Sequence, residues 1–151
     1  MKIKRTYNIQ EVEAILKHPS IWKQVFGDFE IASFVLRDKR SDIHLMAYTD
    51  TGETIGVTSL VPNIKKIPYV HAHILPEYRK EYAKAICLES INWVWNNTDY
   101  SYLRIRIPIT FPNVFKFAQK CNAKLINTSK AKLNNKTYKY WVMEINKEEI
   151  L

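Results

Sequence analysis

The sequence predicts an α/β (α+β) fold on three observations. Short runs rich in β-branched and aromatic residues alternate with stretches of helical period. Proline, asparagine and glycine punctuate the junctions between them. No linker, internal repeat or low-complexity stretch interrupts the 151 residues, which are enough to bury one sizeable core, so residues 1-151 are expected to form a single domain.

In chain order, Lys2 to Tyr7 reads as a first strand. Asn8 then caps a helix from about Ile9 to Lys17, in which Val12, Ile15 and Leu16 share one face. Pro19 stops it, and Ser20 starts a short second helix through Phe26 that Gly27 ends; Trp22 and Phe26, four apart, read as core. Ile31 to Arg37 and Ile43 to Tyr48 are strand patterns. Asp50-Thr51-Gly52 makes a tight turn into Thr54 to Val61, so the last two strands form a hairpin. A loop after Pro62 leads to the strand Pro68 to Leu75, and a long helix from about Arg79 to Trp95 follows. Trp93 and Trp95, two apart, cannot share one helical face. A strand Tyr102 to Ile107, a helix Asn113 to Cys121, a strand Lys124 to Thr128 and a last strand Tyr138 to Ile145 complete the chain. Lys130 to Lys139, with Asn134-Asn135 as a turn, reads as an exposed loop or hairpin with solvated lysines.

Composition excludes several classes. A 13% aromatic share argues against disorder. No apolar run reaches membrane-spanning length, and the basic start Met1-Lys2-Ile3-Lys4-Arg5 runs into polar residues rather than a signal-peptide core, so a cytoplasmic protein is expected. Cys87 and Cys121 have no metal-ligand spacing and read as reduced core thiols. The net charge of +8 is unevenly placed: between Tyr100 and Met143 there is no Asp or Glu, while Arg104, Arg106, Lys116, Lys120, Lys124, Lys130, Lys132, Lys136 and Lys139 fall there. Nucleotide phosphates, nucleic acid or an acidic protein would all be drawn to such a surface.

Three segments carry a family resemblance. Thr54-Ile55-Gly56-Val57 places a glycine after an isoleucine on a hairpin strand; Ile74-Leu75-Pro76-Glu77-Tyr78-Arg79 is a strand exit with proline and arginine; Asn113 to Lys120 is a helix opening on asparagine. Together with the order of elements over nearly the whole chain, they resemble the Gcn5-related N-acetyltransferase (GNAT) superfamily. The resemblance implies a mixed, mostly antiparallel central sheet flanked by about four helices, and acetyl-CoA (coenzyme A) as cofactor. In composition the chain also resembles small phage-encoded GNAT-like proteins, which would place it in the host cytoplasm.

By this resemblance the cofactor-binding residues are Ile74 and Leu75 at the strand end, Arg79, Lys80, Tyr82, Ala83 and Lys84 in the pyrophosphate segment, and Asn113 near the pantetheine. Elementary chemistry agrees: a helix N-terminus offers unpaired N–H groups and a positive dipole end, and Arg79 adds a charge-assisted donor. Free backbone groups of Ile74 and Leu75 would bond the pantetheine arm and polarise the acyl carbonyl. Where the family's loop reads Gln/Arg-x-x-Gly-x-Gly/Ala, however, this chain has Tyr82 and Lys84 at the small positions, and the family's tyrosine acid aligns with Ala118. Tyr138 or Tyr140 would have to replace it.

His71 and His73 are the candidate catalytic bases. Strand alternation puts them on one face with Tyr69 and Leu75, and a histidine titrating near neutrality can take a proton from an ammonium or relay it through water. No third ligand completes a metal site around them, so no metal is expected. Three readings stay open: an acyl-CoA-dependent N-acyltransferase acting on an amine, a catalytically degenerate GNAT-fold protein in a homo-oligomer or a larger assembly such as a virion, and a basic nucleic-acid-binding module.

Overall fold

A computed structural model describes residues 1–25, 41–133 and 135–149. The expected strand Ile31 to Arg37, and Phe26 with the Gly27 stop, lie outside them. The described strands are β1 (Lys2–Thr6), β2 (Ile43–Tyr48), β3 (Thr54–Pro62), β4 (Pro68–Ile74), β5 (Tyr102–Pro108), β6 (Lys124–Leu133) and β7 (Lys136–Asn146). The described helices are α1 (Ile9–Leu16), α2 (Pro19–Val25), α3 (Pro76–Asn97) and α4 (Pro112–Lys120). The seven strands form one sheet in the order β1-β2-β3-β4-β5-β7-β6. Of the strand pairs described, β4 with β5 is parallel and the others are antiparallel, which is the mixed, mostly antiparallel sheet with four helices that the resemblance implied.

The chain divides into two compact units, Met1–Val61 with His71–Asn92, and Pro62–Val70 with Trp93–Leu151. In the first, Asn8 caps α1 by accepting from the Gln10 N–H at 3.1 Å, as expected of an N-cap. This seats Val12, Ile15 and Leu16 against Ile21, Met46 and Val57, all buried, with Leu75 packed alongside. A second cluster, Ala47, Ile55 and Ile86, packs with Met1, Ile3, Ile74, Tyr78 and Tyr82. The β2–β3 hairpin runs from Ile43↔Leu60 to Tyr48↔Thr54, and its turn needs Gly52, whose φ is +89°.

In the second unit β7 lies between β5 and β6, paired from Tyr102↔Asn146 to Pro108↔Tyr140 on one side and from Lys124↔Glu144 to Leu133↔Lys136 on the other. Leu103, Ile107, Met143 and Ile145 are fully buried there, and Phe115 of α4 packs on Trp141 with ring centroids 4.6 Å apart.

Several boundaries differ from the sequence reading, and proline explains two. Pro19 does not merely stop α1: it is the first residue of α2, which His18 caps by accepting from Ile21 and Trp22 N–H through its carbonyl. Pro76 likewise opens α3, three residues before the expected start. Proline suits a first helical position because its φ is preset and its missing N–H has no helical partner to lose. Glu77 then complements the positive end of the helix dipole. Strands β6 and β7 run on to Leu133 and Lys136, since a continuous cross-strand ladder overrides the weak strand propensity of lysine and asparagine.

Candidate functional site

The expected site lies where β4 passes into α3, within the first unit. Gly56 allows β3 to meet β4 closely: a Cβ there would stand 2.8 Å from His73 O and 3.2 Å from Ile74 Cα. The Leu75 N–H donates to Ile55 O at 2.9 Å. Arg79, in the first turn of α3, folds back so that its Nε–H donates to Ile74 O at 2.9 Å. The expectation that Ile74 and Leu75 offer free backbone groups is therefore corrected on two counts. The Leu75 N–H belongs to the sheet, and the Ile74 carbonyl belongs to Arg79. Successive N–H groups of a strand point to opposite edges, so with Leu75 N–H aimed at β3 the Ile74 N–H faces the edge away from β3.

The pyrophosphate segment also differs from the loop the resemblance implied. Residues 79–84 lie in regular α-helix, so N–H groups from Lys80 onward bond carbonyls four residues back. In the first turn Pro76 has no N–H and that of Tyr78 returns to Leu75 O at 3.0 Å. Residues 79–84 therefore form no glycine-loop cradle of several free backbone donors. What remains are side chains. Tyr78 and Tyr82, 6.1 Å apart between centroids, turn onto the Ala47–Ile55–Ile86 cluster, so Tyr82 does not crowd the outer face. Lys80 and Lys84 share the exposed face of the helix, with Ala83 partly buried beside them. Among the described residues, Ile74 O is the single partner of the Arg79 fork, which carries five N–H donors.

The tyrosine side of this helix end is acidic. Tyr78 Oη donates to Glu53 Oε2 at 2.8 Å, and that bond is the first cause of its raised pKa. The Tyr82 phenol is raised first by desolvation, then by Glu81 and Asp50. Asp50 itself pairs with the Met1 ammonium at 2.6 Å, which lowers its carboxyl pKa. An anion is thus favoured on the lysine side of α3 and disfavoured on the tyrosine side.

The two histidines are not equivalent. His71 is exposed and His73 is partly buried. Burial first, then the neighbouring His71 and Arg79, push the His73 pKa from 6.5 down to about 4. It is a neutral imidazole throughout the neutral range rather than a group poised at pH 7, and a weak base for an alkylammonium.

Asn113 is exposed at the second position of α4, in the second unit. Ala118, where the resemblance would have a tyrosine, is buried and brings no acid. Of the two substitutes, Tyr138 is 41% exposed. Tyr140 stacks with Arg106, whose guanidinium lies 5.8 Å from its ring centre and 5.2 Å from that of Tyr69. No His/Cys/Asp/Glu cluster able to hold a metal occurs among the described residues. Among them, too, no helix is long and apolar enough to cross a membrane. Sequence reasoning missed the Arg79 strut; the signal was Pro-Glu opening the helix, which places Arg79 one turn from the strand end.

No protein-family model matches the chain, and no curated protein matches it by sequence. Solved structures match its fold. A mutant form of spermidine N-acetyltransferase SpeG from Vibrio cholerae superposes with a TM-score of 0.77 at 10% identity, covering 99% of this chain and 96% of that one. The dodecameric structure of spermidine N-acetyltransferase from the same organism, in an intermediate state, gives 0.74 at 10% identity over 99% and 95%. A chimera of the Vibrio cholerae enzyme with hSSAT gives 0.75 at 9% identity over 99% and 98%. With β4 passing into α3 as described, the chain has the fold of the Gcn5-related N-acetyltransferases in a divergent form.

Proposed function

We propose that this protein transfers an acetyl group from acetyl-CoA to an amine. The observation that carries the proposal is the β4–α3 junction, an outward Ile74 N–H beside Arg79, Lys80 and Lys84, set in a fold shared over almost the whole chain with spermidine N-acetyltransferases. Arg79, Lys80 and Lys84 would hold the diphosphate through side chains instead of glycine amides, and the Ile74 N–H would bond the pantetheine arm. Bound acetyl-CoA supplies the thioester. The acceptor nitrogen would form the new C–N bond as the C–S bond breaks, coenzyme A would leave as its thiolate and take a proton from solvent, and the nitrogen's proton would pass to His71 or to water. His73 stays neutral in this scheme and avoids placing a second cation beside Arg79. Spermidine, the acceptor named for the similar structures, is the first amine to try.

Isothermal titration with acetyl-CoA followed by a thiol-release assay tests the proposal. Saturable heat and release of one thiol per acetylated amine are expected. No heat at high micromolar acetyl-CoA with folded protein would overturn it. A second reading, a GNAT-fold protein without catalysis, has its own observation: α3 is helical from Pro76 and offers no glycine loop. Absent heat in the same titration favours it.

A further inference from the structure

Part of the charge of the basic third sits on one structural device. Pairing of β5 with β7 ends at Pro108↔Tyr140, with the Ile109 N–H donating to Lys139 O at 3.1 Å. Beyond that point β6 and β7 continue as a two-stranded ribbon through Lys130↔Lys139, Ala131↔Tyr138 and Lys132↔Thr137. Every residue named in those three pairs is exposed.

The ribbon sorts its side chains by face. Directly opposed residues share a face, and residues two apart along a strand share it too. One face therefore carries Thr128, Lys130, Lys132, Thr137 and Lys139, with Trp141 at its base, and the other carries Ser129, Ala131, Lys136, Tyr138 and Tyr140. Lys130 and Lys139 stand directly opposite each other, an arrangement of like charges that destabilises a hairpin. The ion pairs Met1–Asp50, Lys17–Glu13 and Arg104–Glu144 lie away from this pair and do not relieve it. With no carboxylate between Tyr100 and Met143, local sequence supplies no counter-charge either. Such a face is stabilised by an anion brought from outside.

We propose that the Lys130–Lys132–Lys139 face docks on the phosphate backbone of double-stranded nucleic acid. Lysines two apart on a strand are spaced about 6.8 Å, twice the axial rise of about 3.4 Å between neighbouring phosphates on one duplex strand. A two-stranded ribbon also fits the major groove, and Thr128 and Thr137 add hydroxyl donors of the kind that bond phosphate oxygens. A protein partner is disfavoured because interface cores are depleted of lysine and anchored by aromatic residues; Tyr138 and Tyr140 point to the opposite face, and Trp141 at the base of this one packs on Phe115. Single strands are disfavoured as well, since their bases need rings free to stack on the charged side and Trp141 is taken up by Phe115. The surface is independent of whether the chain transfers acetyl groups.

Fluorescence anisotropy with a mixed-sequence duplex of about 24 base pairs, from about 20 to about 200 mM salt, tests this. The unaltered protein is expected to bind, and K130Q/K132Q/K139Q is expected to lower the slope of log K against log salt by about 2.7 and the low-salt affinity at least tenfold. K2Q/K4Q/K65Q, which removes the same charge from exposed sites elsewhere, is expected to keep most of the affinity and slope. Circular dichroism confirms that both variants fold. No binding at the lowest salt, equal losses in the two triple variants, or tighter association with poly-glutamate or anionic lipid vesicles than with the duplex would each overturn the proposal.

Discussion

Replacing His73 by glutamine should flatten the acid limb of the stability profile. In the folded chain the imidazole has a pKa of about 4 against 6.5 for the free side chain, through burial first and then through His71 and Arg79. Between those values the unfolded chain binds a proton that the native chain does not, so native stability rises with pH across this window. The contribution is fully present above pH 6.5 and lost as pH falls towards 4. Linkage gives a loss of about 1.4 kcal/mol at pH 5.5 and about 3 kcal/mol at pH 4.0, relative to pH 7.5. Urea unfolding of the unaltered protein and H73Q at these three pH values measures it. Carboxylates and the other histidines titrate in both proteins, so the difference between the two profiles isolates His73. Parallel profiles, or an NMR titration of His73 centred near 6.5, would refute the reasoning.

Other perturbations follow from the same junction and from the caps. Gly56→Ala puts a Cβ 2.8 Å from the His73 carbonyl, which is backbone and must shift, so a loss of about 1–3 kcal/mol is expected in chemical denaturation. Arg79→Gln removes the bond to Ile74 O and should cost about 1–2 kcal/mol. Under the proposed function it also weakens acetyl-CoA in titration calorimetry, and Arg79→Lys restores charge without the fork and recovers only part of that binding. Asn8→Ala deletes the α1 cap and should lower stability by about 1 kcal/mol without changing the histidine titrations.

Much of the fold was legible in the chain because its signals are local. The Asn8 cap, the turn at Gly52 and the mostly apolar run of Ile43 to Tyr48 each name their element without tertiary help. The prolines were harder, since the same residue that ends one helix opens another, and only packing of the following face decides where. For α3 that face is Tyr78, Tyr82 and Ile86 on the sheet, which draws the helix back to Pro76. The β6–β7 ribbon was legible only as one alternative for a similar reason: Lys130 to Lys139 reads as an exposed loop or hairpin until a partner strand in register decides for the hairpin. At the site, the residue types were readable but their occupations were not. Nothing in the string around His73 announces its burial, and nothing in the Arg79 motif says that its guanidinium turns to the chain itself.

That turn changes what the Pro76–Arg79 string signifies. A pattern matcher registers it as a ligand signature, yet here it describes a joint that fastens strand to helix and would persist if every ligand were lost. Rebuilding a phosphate loop would not be a matter of two substitutions. Glycine at positions 82 and 84 would cost about 1 kcal/mol each in helix propensity, and the first would also pull an aromatic ring out of the Ala47–Ile55–Ile86 cluster. The junction has settled into an architecture from which a glycine loop is no longer a small step away.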